Sequence, residues 1–498
     1  MGLRTISLAS ADGVAAFYVP IAAVASGISH SHHWREYSVS AVLMSVIGGT
    51  TTTVGTARQI QLDARFHVLN PRQNHKEREQ MLRQRATNFA MAGGKRHVYS
   101  CRMATTDLSI QSAEYSLRNP APGSPGRLLC LDIYRGLMVA GMIIVDNPGS
   151  DEHAYWPIMH AKWNGWTPAD FIFPSFLFLV GISLVYSTAA RRQRAQSNRQ
   201  ILWHAFKRSL ILIAIGLLVN ASPLYGLDLH TWRFEGVTQR IALCYFCALM
   251  LELWVGRRGQ LLACVGCLIG YWALVRFVPV PGAGIPGRDI PFLDQVQNLP
   301  AWLDRKLFAG HLYDGTSDPE GIIHTIPAIA TTLIGVLTGN WLKSNRKAAQ
   351  LIGGMTFFGV LGVLGGELWN RWFPINKHMW TSSFVLFSGG LCLLFLSLLY
   401  WATEVRRWRG GWTMPILVFG MNAIAGFVAD SLIYGPGYTF TVTTASGTKV
   451  NWHDVAQAHL EAAGLSVANA SLVYSLGALL ICWIMLWFLW RKKIFLKV

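Results

Sequence analysis

From Leu129 onward the chain alternates apolar runs of about twenty residues with short polar loops. About twenty residues is the length a helix needs to cross a hydrocarbon core. Ten spans are predicted, at roughly 129–148, 169–189, 205–221, 238–254, 260–279, 320–341, 350–369, 380–401, 413–434 and 466–490. The expected fold class is therefore an all-α integral membrane protein of about ten helices. Residues 1 to about 125 lack this pattern. Two apolar stretches there, Val14–Ile28 and Val39–Gly49, are broken by Ser, Thr and Gly, and Arg58–Arg102 is polar and basic. That composition predicts a poorly structured basic extension over 1–125, closed by the Pro/Gly linker 119–126, ahead of a helical unit over 126–498. Met103, which opens MATTDLS, is the expected natural start.

Composition agrees with the pattern. The chain is 52% apolar and 14% charged, where a soluble domain carries about 25% charged residues. The net charge of +17 would suit a nucleic-acid partner, but its distribution excludes one. Basic residues gather in every second loop: Arg191, Arg192, Arg194 and Arg199, then Arg257 and Arg258, Lys343, Arg346 and Lys347, Arg406, Arg407 and Arg409, and the tail Arg491–Lys493. Cytoplasmic loops show this bias. Both ends of the helical unit are thus expected in the cytoplasm, and the loop carrying His160 is expected to face outward. Cys244, Cys247, Cys264 and Cys267 have zinc-ribbon spacing, but they lie in or beside apolar spans, where Cys packs as a small hydrophobe. No metal is expected.

Five polar constellations interrupt the apolar unit. Asp132 and Arg135, three residues apart in LDIYRG, can pair on one helix face. Val145–Gly149 ends the first span and leaves Asp146 and Asn147 at its outer boundary. The loop MHAKWNGWTPAD follows, with His160, Trp163 and Asn164; its Thr167, Pro168 and Asp170 read as a capping box with Pro at the first helical position. GVTQR places Arg240 at an outer mouth. DPEG (Asp318, Glu320) opens the sixth span, and FPINKHMWTSS (Asn376, Lys377) opens the eighth. A titratable side chain held at a membrane boundary is a functional candidate, so His160 leads. Gly282, Gly284 and Gly287 fit G-x-G-x-x-G but lack the flanking strand and helix of a dinucleotide site. The loop 280–319 is long enough to act as a lid, and its Trp302 and Tyr313 could stack on a sugar.

Taken in order, LDIYRG, VDNPG, HAKWNGWTPADFIFP, GVTQR, DPEG, FPINKHMWTSSF and MPILVFGMNAIAGF resemble the transmembrane heparan-alpha-glucosaminide N-acetyltransferase family, including its bacterial relatives. The resemblance covers nearly all of 127–490. It implies that acetyl-CoA arrives from the cytoplasm and that the acetyl group is delivered to a glucosamine amine beyond the membrane. His160 matches the family's active-site histidine, while Asp146 stands where the family usually carries Asn, with Asn147 next to it. The implied setting is a multi-pass cell inner membrane protein with the histidine loop facing the periplasm.

Acyl transfer to an amine needs a base, oxyanion donors and exclusion of water. Imidazole suits the base role, or it can attack the thioester and carry the acetyl group itself; both routes stay open. Catalytic roles are expected for His160, Asp146 and Asn147. Asn147, Asn164 or Trp163 are the expected oxyanion donors, and Asp146 or Asp318 the expected orienting acid. Substrate contacts are expected from Trp163, Asn164, Asp318, Glu320, Asn376 and Lys377. The CoA phosphates favour basic side chains, with Arg135 first, then Arg208 and Arg240. The expected partners are an amino-sugar acceptor and the lipid bilayer, with a homodimer left open. A transporter of an amino sugar or cell-wall fragment, and an inactive relative, are the rival readings.

Overall fold

The computed structural model describes residues 37–40, 63–66, 128–150, 152–221, 228–443 and 447–496. The chain divides into two units, 1–115 and 116–498. In the first, β1 (Tyr37–Ser40) pairs antiparallel with β2 (Asp63–Phe66). The rest of the expected extension, with Met103 and the linker, lies outside the described residues.

The second unit is helical. Its elements are α1 (Leu129–Asp146), α2 (Ile172–Gln193), α3 (Asn198–Asn220), α4 (Val237–Trp254), α5 (Arg257–Phe277), the short α6 (Leu299–Leu307), α7 (Thr325–Leu342), α8 (Ala348–Asn370), α9 (Ser382–Tyr400), α10 (Thr413–Met421), α11 (Ala423–Thr439), α12 (Trp452–Ala462) and α13 (Val467–Arg491). A hairpin of β3 (Thr441–Thr443) and β4 (Lys449–Asn451) precedes α12.

Among the described residues, eight helices are long and apolar enough to cross a membrane, or nine if one bent pair counts as a span. Two of the ten expected spans depart from a single straight apolar helix. The ninth is broken: α10 and α11 meet at Asn422 with an 86° bend. The break is tolerable because it is enclosed. Asn422 is fully buried, its Nδ2 donates to Ile494 O at 3.2 Å, and its Oδ1 accepts from Leu496 N at 3.2 Å. The first, α1, carries three charged residues, Asp132, Arg135 and Asp146. It is shielded by protein on much of its surface: Cys130, Ile133, Tyr134, Val139 and Ile143 are buried, and Gly136 lies against Ile416 of α10. Charge inside a bundle is far less costly than charge facing lipid.

Small residues allow close helix crossings. A Cβ on Gly181 of α2 would strike Thr332 O of α7, and one on Gly335 of α7 would strike Phe178 O of α2. Such approaches let dispersion and backbone contacts join helices in lipid, where no hydrophobic force separates protein from solvent. The outward faces are apolar instead: Phe357, Phe358, Leu361 and Leu364 of α8 are all exposed. The two CxxC pairs serve packing. Cys244 and Cys264 are buried in one core cluster with Leu249, Leu268 and Val336, and Cys247 and Cys267 are half-buried.

Candidate active site

The functional end of the bundle is built from loops that sequence places far apart. Pro168–Phe171 forms one 3-10 turn leading into α2. Its Asp170 is fully buried. Asp170 Oδ2 accepts the Thr167 N–H at 3.0 Å and the Ala161 N–H at 3.1 Å. The capping box expected from sequence is therefore present. The same carboxylate does a second job, because its Oδ1 lies 2.8 Å from His160 Nδ1. A carboxylate only accepts, so Nδ1 carries the hydrogen and the lone pair of a neutral ring sits on Nε2.

The turn between α8 and α9 closes the site. Gly165 N donates to Ile375 O at 2.7 Å, and Asn376 Nδ2 donates to Asn164 Oδ1 at 3.2 Å. These contacts bring Lys377 Nζ to 3.3 Å from Asp170 Oδ1, 3.0 Å from His160 Nδ1 and 3.3 Å from His160 Nε2. With Nδ1–H committed to the carboxylate, the Lys377 ammonium has Asp170 Oδ1 as its charged partner and the ring lone pair is that on Nε2. His160 remains 42% exposed while Asp170 is 0% exposed. The imidazole thus faces outward from a buried anionic support. Next to Lys377, burial and then the Lys377 charge push the His378 imidazole below its usual range. His378 lies against Trp163 with ring centroids 5.5 Å apart.

Asp146 and Asn147 end α1 behind this group. Asn147 is buried; its Nδ2 donates to Asp430 Oδ1 at 2.6 Å and to Ile143 O at 2.9 Å, and its carbonyl accepts from Ser475 Oγ. Asp146 meets Asp430 and lies within electrostatic reach of His160 and Lys377. The direct carboxylate partner of His160 is Asp170, not Asp146 or Asp318. Sequence contained a signal for it, the acid at the third position of the 3-10 turn. That acid was assigned to capping because one local role already explained it.

Other expected site residues have structural partners. Trp163 Nε1 donates to Leu293 O at 2.9 Å, so its N–H is spent anchoring the 278–324 loop. Asp318 is fully buried and takes Arg233 Nε and Nη2 at 2.7 and 2.5 Å, while Glu320 also pairs with Arg233. Arg233 was not singled out by sequence. Burial opposes ionisation of Glu320, but Arg233 and Arg240 together hold its carboxyl below the usual range. Arg240 is 1% exposed; its Nη2 donates to Pro319 O at 2.6 Å and its guanidinium lies 5.1 Å from the Trp380 ring centroid. It is enclosed by protein and its Nη2 holds the 318–321 turn, while its Nε and Nη1 have no hydrogen-bond partner. A cavity of about 200 Å³ lies beside it, lined by Glu235, Gln239 and Glu320 among others.

The 278–324 loop is folded on itself. Trp302 packs with Val280, Ile290 and Leu299, and Arg233 covers Tyr313 at 4.7 Å. Gly282, Gly284 and Gly287 all have positive φ (83°, 109°, 76°), so the glycine run serves tight turns. At the other end of the bundle, Arg135 pairs with Asp132 at 3.2 Å and donates to Ser183 Oγ at 3.1 Å. It lies eleven residues before Asp146 on α1, about 16 Å along a helix axis. Arg208 lies over Tyr245 at 4.9 Å.

Residues 127–372 match the family model described as heparan-alpha-glucosaminide N-acetyltransferase, catalytic. Over these residues the chain is similar to that family. The heparan-alpha-glucosaminide N-acetyltransferase of Mus musculus is 29% identical, over 62% of this chain and 54% of that protein. The Homo sapiens protein of the same name is 30% identical, over 62% of this chain and 53% of its own length. The chain thus spans about half the length of these curated relatives. The heparan-alpha-glucosaminide N-acetyltransferase match contains His160 and Asp170 and ends at Trp372. The turn that supplies Asn376 and Lys377 follows immediately.

Proposed function

We propose that the protein is a membrane-embedded acetyltransferase that moves an acetyl group from acetyl-CoA to the amine of a glucosamine-type sugar. The observation that carries this reading is the His160–Asp170–Lys377 group at the loop end of a helical bundle, with His160 and Asp170 inside the family match and Lys377 just beyond it. Asp170 fixes the ring so that Nε2 faces the reactants. Nε2 takes the proton from the attacking amine as the C–N bond forms, the C–S bond breaks, and the CoA thiolate leaves and is protonated. Nε2 could equally attack the thioester first and pass the acetyl group to the amine in a second step. In either route the Lys377 ammonium is the donor placed to steady the carbonyl oxygen as it becomes an oxyanion.

Acetyl-CoA is a co-substrate here. In this reading it enters at the basic end of the bundle, where Arg135 and Arg208 are the candidate phosphate contacts, and the sugar binds at the opposite, His160 end. The inner membrane, with His160 toward the periplasm, is the setting that the loop charges favour. The test is acetyl transfer from labelled acetyl-CoA to glucosamine by purified protein in nanodiscs, compared with His160→Ala. Transfer by the wild type that falls at least a hundredfold in the variant is expected. No transfer, equal transfer, or uptake of unmodified sugar into proteoliposomes without acetyl-CoA would overturn the proposal.

A further inference from the structure

The loop after α1 carries His160 in its second half. Its first half builds a different feature. Gly149, Ser150, Glu152 and His153 face α12 across a cavity of about 580 Å³, a volume in the range of small-molecule sites. Among the described residues, the cavity walls carry three carboxylates, Glu152, Asp454 and Glu461, and two imidazoles, His153 and His453, with no Lys or Arg. Gln457 also lines it and is only 7% exposed. Its Nε2 donates to Glu461 Oε1 at 2.7 Å and Val467 O at 3.1 Å, but its Oε1 has no hydrogen-bond partner. A buried amide oxygen without a donor is costly, and a ligand hydroxyl or amine would relieve it.

The cavity is tied to the catalytic end of α1. His453 Nε2 donates to Pro148 O at 2.7 Å, two residues beyond Asp146, and Ser471 Oγ accepts the Ser150 N–H at 3.1 Å. The cavity and His160 therefore share one loop and lie at the same end of the bundle. We propose, resting on the acetyltransferase reading above, that this cavity is a subsite for the sugar next to the one being acetylated, and that it selects an amine-bearing, unsulfated glycan. Carboxylates and an amide oxygen accept from hydroxyl and ammonium groups. The same carboxylates, with no opposing Lys or Arg, repel sulfate or carboxylate on the ligand, which makes the discrimination both attractive and repulsive.

The test uses the full chain in nanodiscs, with β-1,4-linked tri-glucosamine and its N-sulfated counterpart as probes. Binding is measured without acetyl-CoA for the wild type, Glu152→Lys and Asp454→Asn, and kcat/KM for the trimer is then compared with that for glucosamine. The expected result is trimer binding to the wild type at least tenfold tighter than the sulfated form. Glu152→Lys, an exposed position that folding tolerates, should weaken trimer binding about tenfold and narrow the gap to the sulfated form. The trimer-to-monomer ratio of kcat/KM should fall in parallel. Equal trimer affinity in all three proteins, or wild-type affinity for the sulfated trimer as high as for the free amine, would overturn the subsite. Trimer binding without any acetyl transfer would support the subsite and overturn the acetyltransferase reading alone.

Discussion

Replacing Asp170 with Asn tests the site at its support rather than at its reactive atom. The change preserves side-chain size but leaves a single oxygen acceptor. Two backbone donors, Ala161 N–H and Thr167 N–H, now converge on Oδ2, so the amide oxygen must serve them. The new NH2 group then faces His160 Nδ1, where Oδ1 now stands 2.8 Å away. Nδ1 is forced to accept, the ring hydrogen moves to Nε2, and the atom meant to take the proton already carries one. Restoring the productive tautomer would set two N–H groups head to head, or turn the amide and orphan the two backbone donors. Each unsatisfied buried donor costs about 1–3 kcal/mol. Two such losses total about 2–6 kcal/mol, or roughly 10–10⁴ in rate at about 1.4 kcal/mol per decade. Loss of the ion pair with Lys377 acts in the same direction. The assay is the initial rate of acetyl transfer to glucosamine, with thermal unfolding measured in parallel to show that the fold is kept. A kcat within threefold of the wild type in a folded variant would refute the tautomer argument.

Four further outcomes follow from the same geometry. Lys377→Met keeps the aliphatic stem and removes the donor; kcat should fall about 10²–10³-fold with a smaller change in KM, as for loss of an oxyanion contact, and a change confined to KM would assign Lys377 to binding alone. Arg233→Met leaves the buried Asp318 carboxylate unpaired and should cost about 3–5 kcal/mol, read as a lowered unfolding midpoint in detergent. Burial, then the nearby Asp304 and Asp318 charges, pushes the Glu235 carboxyl up to about 8. The folded state therefore holds a proton that the unfolded state releases near 4.5, so stability present at low pH is lost as pH rises from about 4.5 through 8, and Glu235→Gln should flatten that decline. Gly181→Ala, at the closest α2–α7 approach, should destabilise the bundle by about 1–3 kcal/mol, again read from the unfolding midpoint.

The helices were legible in sequence because length and apolarity alone decide what can cross a bilayer. The exceptions lie where tertiary contacts replace lipid. Residues 413–434 read as one span, yet the helix bends at Asn422, whose buried side chain is held by the tail at Ile494 and Leu496. His160 was legible as an ionisable group at a boundary. Its partner was not, because Asp170 already had a sufficient local explanation as a cap. One buried carboxylate has two oxygens and about four lone-pair directions, so capping and orienting the imidazole do not compete.

The same reasoning separates the polar residues that hold the outer loops from those that face reactants. Arg233 pairs with Asp318 and Glu320, and Arg240 Nη2 holds the 318–321 backbone, and such contacts fix loop positions. The lone pair at His160 Nε2 and the ammonium of Lys377 belong to a ring still 42% exposed and a side chain reaching over it. Burying the anion while exposing the imidazole lets the low-dielectric support act at full strength on a group that substrates can still reach. Asp146 stands behind this arrangement, engaged with Asp430 through the end of α1. Asp146 therefore bears on the field around His160, while the hydrogen bond that orients the ring comes from Asp170.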